Sequence, residues 1–198
     1  MLSARKNAVL VMVLLVAAAL SLVSASGATA ATTTVGFAQQ PQITVRTGQS
    51  FYLTVAVTDV SDLYGWQFDT EYNSTYLEFI RVARGPMLSS DGASAYLVPP
   101  SVQPGKALHV AATRLARDAG VSGSGEVAYV FFRALKDTPS TGTTVSLKNV
   151  LLVDRNALEI ERSYVNGGRC GVVISASAPE YVQPPVEGAY LPLVLRAP

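Results

Sequence analysis

The chain has 198 residues, a formal net charge of +1, and 15% charged against 49% hydrophobic side chains. That near-neutral balance gives no electrostatic case for binding nucleic acid or an anionic membrane, and the lone Cys170 excludes an internal disulfide. The length suits a single domain held by an apolar core of ordinary size.

Arg5 and Lys6 precede an uncharged Leu-, Val- and Ala-rich run from Ala8 to Val23, and Val23-Ser24-Ala25 and Ala28-Thr29-Ala30 each offer a small-residue cleavage site. This is the pattern of a secretory signal peptide over residues 1–30, and the run is short for a membrane span, which needs about 20 apolar residues. An uncleaved N-terminal anchor is the alternative. Either way the remainder is expected outside the membrane, extracellular or at the cell surface. Residues 40–176 then form the expected domain, followed by a Pro-rich tail over 177–198.

Gln42 to Arg46 reads as the first strand, and Thr47-Gly48-Gln49 turns the chain into Ser50 to Val60. There Phe51, Leu53, Val55 and Val57 alternate with Tyr52, Thr54, Ala56 and Thr58, the period of a strand with one face on a core. The clearest alternation follows. Tyr64, Trp66, Phe68, Thr70 and Tyr72 share one face, and Gly65, Gln67, Asp69 and Glu71 share the other. Asn73-Ser74 turns the chain and Leu77, Phe79 and Val82 return, a pair that reads as half of one sandwich layer. Further strands are expected over Ser94–Val98, Lys106–Leu115, Glu126–Leu135, Thr144–Val153, Leu158–Glu161 and Cys170–Ser175, with VSGSG as the introduction to the Glu126 strand. About nine short strands at this spacing predict an all-β sandwich. Cys170, flanked by Gly168 and Gly171 and running into VVI, reads as a small buried residue.

The order LYGWQFDTEYNSTYLEFIRVARG, SGSGEVAYVFFRALK, VSLKNVLLVDRNALEIE and NGGRCGVVISA resembles the cohesin domain of bacterial extracellular proteins, over roughly residues 40–176. The resemblance implies a nine-stranded jelly-roll β-sandwich that binds dockerin modules without catalysis, often attaching polysaccharide-degrading enzymes to a scaffold or surface. It also implies that the calcium belongs to the dockerin. The partner surface it implies is the outer face of the sheet holding the Trp66 strand: Gly65, Gln67, Asp69 and Glu71, joined by His109, Ala111 and Thr113 opposite buried Leu108, Val110 and Ala112. Gly65 and Gln67 depart from the Asn and Asp of well-known cohesins, which leaves the partner's identity open. Some cellulose-binding modules share the fold, so a carbohydrate ligand is the alternative, and a structural cell-surface role the third.

No catalytic residue is assigned. Asp69 and Glu71 lie about 6 to 7 Å apart along a strand, compatible with a glycosidase pair, but a flat sheet face provides no desolvated cleft to separate their pKa values. His109 lacks a triad around it. No calcium loop, no His or Cys cluster and no cofactor motif is present in the sequence. Asn73-Ser74-Thr75 matches a glycosylation sequon but reads as a turn. Trp66 shares its face with Phe68 and is assigned to the core, not to a sugar platform. Tyr52, Tyr129 and Phe131 all point away from the core by parity and form a candidate aromatic patch on the opposite sheet. The apolar end of the tail, Tyr190 to Leu195, is expected to fold back and cover those rings.

Overall fold

A computed structural model describes residues 32–115 and 119–186. The expected leader and the end of the tail lie outside the described residues. The described part contains twelve strands: β1 (Thr34–Phe37), β2 (Gln42–Arg46), β3 (Ser50–Leu63), β4 (Gly65–Glu71), β5 (Leu77–Arg84), β6 (Ala95–Val98), β7 (Ser101–Gln103), β8 (Lys106–Arg114), β9 (Val121–Ala134), β10 (Thr143–Val153), β11 (Ser163–Tyr164) and β12 (Arg169–Ser175). They form two sheets, ordered β11-β1-β3-β9-β5 and β2-β12-β10-β4-β8-β6, with β7 added beside β8. The all-β jelly-roll sandwich expected from the sequence is the observed architecture, with a few very short strands added to the expected nine. Among the described residues no helix is long and apolar enough to cross a membrane.

Alternation builds the core. Leu53, Val55 and Val57 on β3, Val130 and Phe132 on β9, and Trp66 and Phe68 on β4 are all almost fully buried between the sheets. Phe132 sits at the middle, with the rings of Tyr72, Phe51 and Phe79 centred 5.3, 6.0 and 6.2 Å from it. Trp66 stacks on Phe68 with centroids 5.2 Å apart. Cys170 is fully buried, and burial pushes its thiol up to about 11, so it is a packing residue and not a thiolate.

Three local expectations are corrected. The pair written as half of one layer is split, because β4 lies in the larger sheet and β5 pairs with β9 in the smaller one. The Asn73 turn, whose Oδ1 accepts from the amide of Thr75, therefore carries the chain across the sandwich, and Leu77 faces β4's apolar side from the opposite sheet. VSGSG is strand, not introduction. The Ser124 and Ser122 hydroxyls accept from the amides of Asp59 and Asp62, two bulge residues with φ of 53° and 57°. Leu158–Glu161 makes a single bridge, Val153 with Glu159, because Asp154 Oδ1 accepts from the amides of Asn156 and Leu158 and closes a turn there.

Phe68→Ala should cost about 3 to 5 kcal/mol, since it empties a site where the surrounding rings cannot collapse. An unchanged midpoint in chemical denaturation would contradict that packing.

Candidate functional site

The outer face of the larger sheet is set by its central strand. β4 pairs antiparallel with β8 on one side (Gly65↔Thr113, Gln67↔Ala111, Glu71↔Lys106) and with β10 on the other (Gly65↔Val153, Gln67↔Leu151). Residues directly opposite share a face, so Gly65, Gln67, Glu71, Ala111 and Thr113 are brought together as expected. β6 extends the surface, with Tyr96↔Thr113 and Val98↔Ala111. Its middle is low: Gly65, Ala111 and Thr113 are small, and a side chain at Gly65 would meet the Ala112 carbonyl and Val153 Cγ2 at 3.2 Å. The flanks are apolar, with Leu151 and Val153 half-buried and Tyr96 and Val98 exposed. At one end Glu71 and Lys106 form an exposed ion pair at 3.1 Å.

Asp69 departs from the expectation. It is only 6% exposed, and both carboxylate oxygens are engaged inside the molecule: Oδ1 accepts from the His109 amide at 2.7 Å and Oδ2 from Asn149 Nδ2 at 2.7 Å. The pairing shifts register beside Asp69 on both sides, between Phe68 and Thr70 against β8 and between Lys148 and Leu151 against β10. His109 and Asn149 are the bulged residues, with φ of 56° and 47°. The carboxylate thus takes up the backbone amide of the β8 bulge and holds the side chain of the β10 bulge. The bulge on β8 also corrects the parity there. Ala107 and Val110 are inward, Leu108 is half-buried on the outer side, and His109 is exposed.

Arg114 ends β8 and fixes β6. Its guanidinium is buried, donates to the Leu88 carbonyl at 2.6 Å and to both oxygens of Asp91 at 3.1 and 2.6 Å. Two hydrogen bonds from Arg114, then one from the Ala93 amide, hold the Asp91 carboxyl at about 2, below its ordinary 3.8. The segment before β6 is therefore tied to the sheet that presents Tyr96 and Val98. Sequence reasoning missed those two residues and Leu151. The alternation of Leu151 with buried Leu152 was a readable signal; the placement of β6 beside β8 was not.

On the opposite sheet, Tyr52 pairs with Phe131 and Thr54 with Tyr129, so the three rings of the expected patch do meet. Tyr52 lies 5.5 Å from Tyr129 and 5.3 Å from Phe131, and the Arg81 guanidinium sits 3.7 Å over Phe131. Tyr52 and Tyr129 are nevertheless buried. Residues 180–186, the beginning of the tail, lie across them, whereas the expected cover of Tyr190 to Leu195 lies outside the described residues.

A shallow, mostly apolar sheet face with an ion pair at one end and a closed core behind it defines a β-sandwich recognition module. A family model of the cohesin domain matches residues 37–168, well over half of the chain, and the chain belongs to that family of non-catalytic protein-binding modules. Its fold is similar to that of a non-cellulosomal cohesin from the hyperthermophilic archaeon Archaeoglobus fulgidus, at 16% identity and a TM-score of 0.54, covering 73% of this chain and 92% of that one. It is similar to a type I cohesin solved in complex with a dockerin from Clostridium thermocellum, at 14% identity and a TM-score of 0.56, covering 73% and 100%. A type II cohesin domain from the cellulosome of Acetivibrio cellulolyticus gives 16%, 0.55, 71% and 95%. No curated protein sequence matches the chain.

Asp69→Ala should destabilise the domain by about 1 to 3 kcal/mol, because it strands the His109 amide and the Asn149 side chain together. A melting temperature equal to that of the unaltered chain would remove Asp69 from this structural role. Asp91 predicts an acid sensitivity of defined sign. A depressed carboxyl contributes stability that is complete above its unfolded value near 4 and is lost as pH falls through about 2. Between those limits the unaltered chain should lose more stability than Asp91→Asn, measured as the shift in denaturation midpoint; parallel losses would contradict the assignment.

Proposed function

We propose that this chain binds a dockerin-type extracellular protein through the outer face of β4, β8, β10 and β6. The observation that carries the reading is the low centre formed by Gly65, Ala111 and Thr113 between the apolar flanks of Leu151, Val153, Tyr96 and Val98, a shape suited to the apolar side of a helix. Gln67 lies half-buried in the middle and offers one amide donor and one acceptor to that partner, while Glu71 and His109 stand at the rim. Asp69 belongs beneath the surface, not in the contact. The solved Clostridium thermocellum relative, a type I cohesin held in a complex with a dockerin, supports the same class of partner.

In this reading the module is exported by the segment over residues 1–30 and works outside the cell, in surface attachment or in assembling polysaccharide-degrading proteins. The protein-binding reading is favoured over a carbohydrate-binding one because the candidate stacking rings are covered, Trp66 at 3% exposed and Tyr52 and Tyr129 at 9% each, which leaves Tyr96 as the exposed ring of β6 on the outer face.

The test is capture of calcium-loaded type I and type II dockerins by the full chain, followed by titration calorimetry, with a chelator control. Calcium-dependent binding is expected, and Ala111→Arg should weaken it at least about tenfold while the melting temperature stays put. Undiminished capture by Ala111→Arg would exclude this face, and retention on insoluble polysaccharide without any dockerin binding would overturn the reading.

A further inference from the structure

The second sheet holds an edge that no strand completes. β1 covers β3 only from Val55 to Thr58, so on the side away from β9 Phe51 to Thr54 have no strand neighbour. Glutamine side chains stand where that strand would be. Gln39 Oε1 accepts from the Thr54 amide at 2.8 Å. Gln183 makes both bonds of a strand residue to Tyr52, its Oε1 accepting from the amide and its Nε2 donating to the carbonyl, each at 2.8 Å. One step along, the roles reverse: Gln49 Nε2 donates to the Tyr181 carbonyl at 2.6 Å and Gln49 Oε1 accepts from the Tyr181 amide at 3.0 Å. The Tyr52 hydroxyl then donates to the Pro184 carbonyl at 2.7 Å.

These contacts read a sequence. Tyr181 and Gln183 point inward at alternate positions while Val182 is 85% exposed, so the segment lies extended and is recognised through its backbone, the Gln183 amide and the Tyr181 ring, which packs against the core cluster. Proline at 184 and 185 restricts the free segment to extended conformations, which lowers the entropy lost on docking. The seat is not packed like a core. Cavities of about 520 Å³ and 360 Å³ remain on either side, the first against Phe131 and the second against Tyr129, Glu126 and Arg84. A segment held by a few polar contacts and one partly buried ring, beside open space, is separable from the domain, because every fully buried side chain between the sheets lies outside it.

We propose that the β3 edge at Gln49 and Tyr52, floored by the rings of Tyr52, Tyr129 and Phe131, is a second binding site, specific for an extended proline-rich peptide of pattern aromatic-x-Gln-Pro. In the free chain Tyr181-Val182-Gln183-Pro184 occupies it in cis. The site lies on the sheet opposite the β4 face, so both can be filled at once. Tethering gives the cis segment an effective concentration of about millimolar, and a peptide in trans enters only when the tethered segment is weakened or outnumbered.

The experiment uses the full chain and a fluorescently labelled peptide spanning residues 179–186. Full-length Tyr181→Ala/Gln183→Ala/Pro184→Ala, checked for an unchanged fold by circular dichroism, should bind the peptide saturably and at least about tenfold more tightly than the unaltered chain, whose own segment competes. The same peptide carrying Gln183→Ala should fail to bind. In parallel, amide exchange at Tyr52 should accelerate in full-length Gln183→Ala while that of Val130 in the core stays unchanged. A folded triple variant that binds the peptide no better than the unaltered chain would overturn the proposal, as would unaltered exchange at Tyr52. A dimer of the unaltered chain that dissociates on Gln183→Ala would overturn the cis occupancy by placing the segment of a second copy in the site.

Discussion

The larger sheet depends on one carboxylate. β4 is its central strand, and at Asp69 both neighbours depart from regular pairing, β8 at His109 and β10 at Asn149. Each bulge removes ladder bonds and turns its strand, so two bulges opposite one another would leave the middle of the sheet with unpaired polar groups. Asp69 supplies an acceptor to the freed His109 amide of β8 and ties the Asn149 side chain of β10 to the same carboxylate. Its charge strengthens the two bonds, and burial shields them from competing water. The inward residues keep their order on either side, Ala107 with Val110 on β8 and Leu147 with Val150 on β10, so the core is continuous beneath a disturbed ladder.

From this clamp follows the character of the outer face. The regular half of the sheet, from Gln67 to Gly65, lies flat between Ala111, Thr113, Leu151 and Val153, while the bulged half carries Glu71, Lys106 and exposed His109. A flat apolar area beside a polar margin is the division expected of a protein-recognition surface. Arg114 and Asp91 complete it by holding the connection before β6. That buried guanidinium concentrates three hydrogen bonds on Leu88 and Asp91, and the loop it restrains leads directly into Tyr96.

Alternation made the buried layer legible. Phe51, Leu53 and Val55, and Trp66 and Phe68, announced their shared face because a strand has a fixed period of two and a sandwich buries one side of it. What escaped the pattern was whatever depends on pairing between strands. The Asn73 turn has the same local chemistry whether it joins neighbours or crosses the sandwich, so β5 could not be assigned to its sheet. VSGSG has the composition of a linker, yet its serine hydroxyls serve bulge amides of β3. Leu108 was misplaced by parity because nothing in KALHVAATR marks His109 as the bulged residue. Asp69 looked like an exposed carboxylate on a polar face, since its burial arises only when two strands distant in sequence both bulge beside it.

The glutamines along β3 have a consequence for behaviour at high concentration. An unpaired strand edge is a template on which another chain can build, and a domain without a disulfide has no covalent restraint to keep such edges apart. Gln183 meets both backbone groups of Tyr52 and Gln39 the amide of Thr54, whose carbonyl takes the Ala38 amide, and the side-chain amides satisfy the edge without offering a further row of groups for a next strand to join. The sheet is terminated chemically where it is not terminated by a strand. Solubility of the folded domain is thus linked to a short stretch of chain that adds one partly buried ring, Tyr181, to its core.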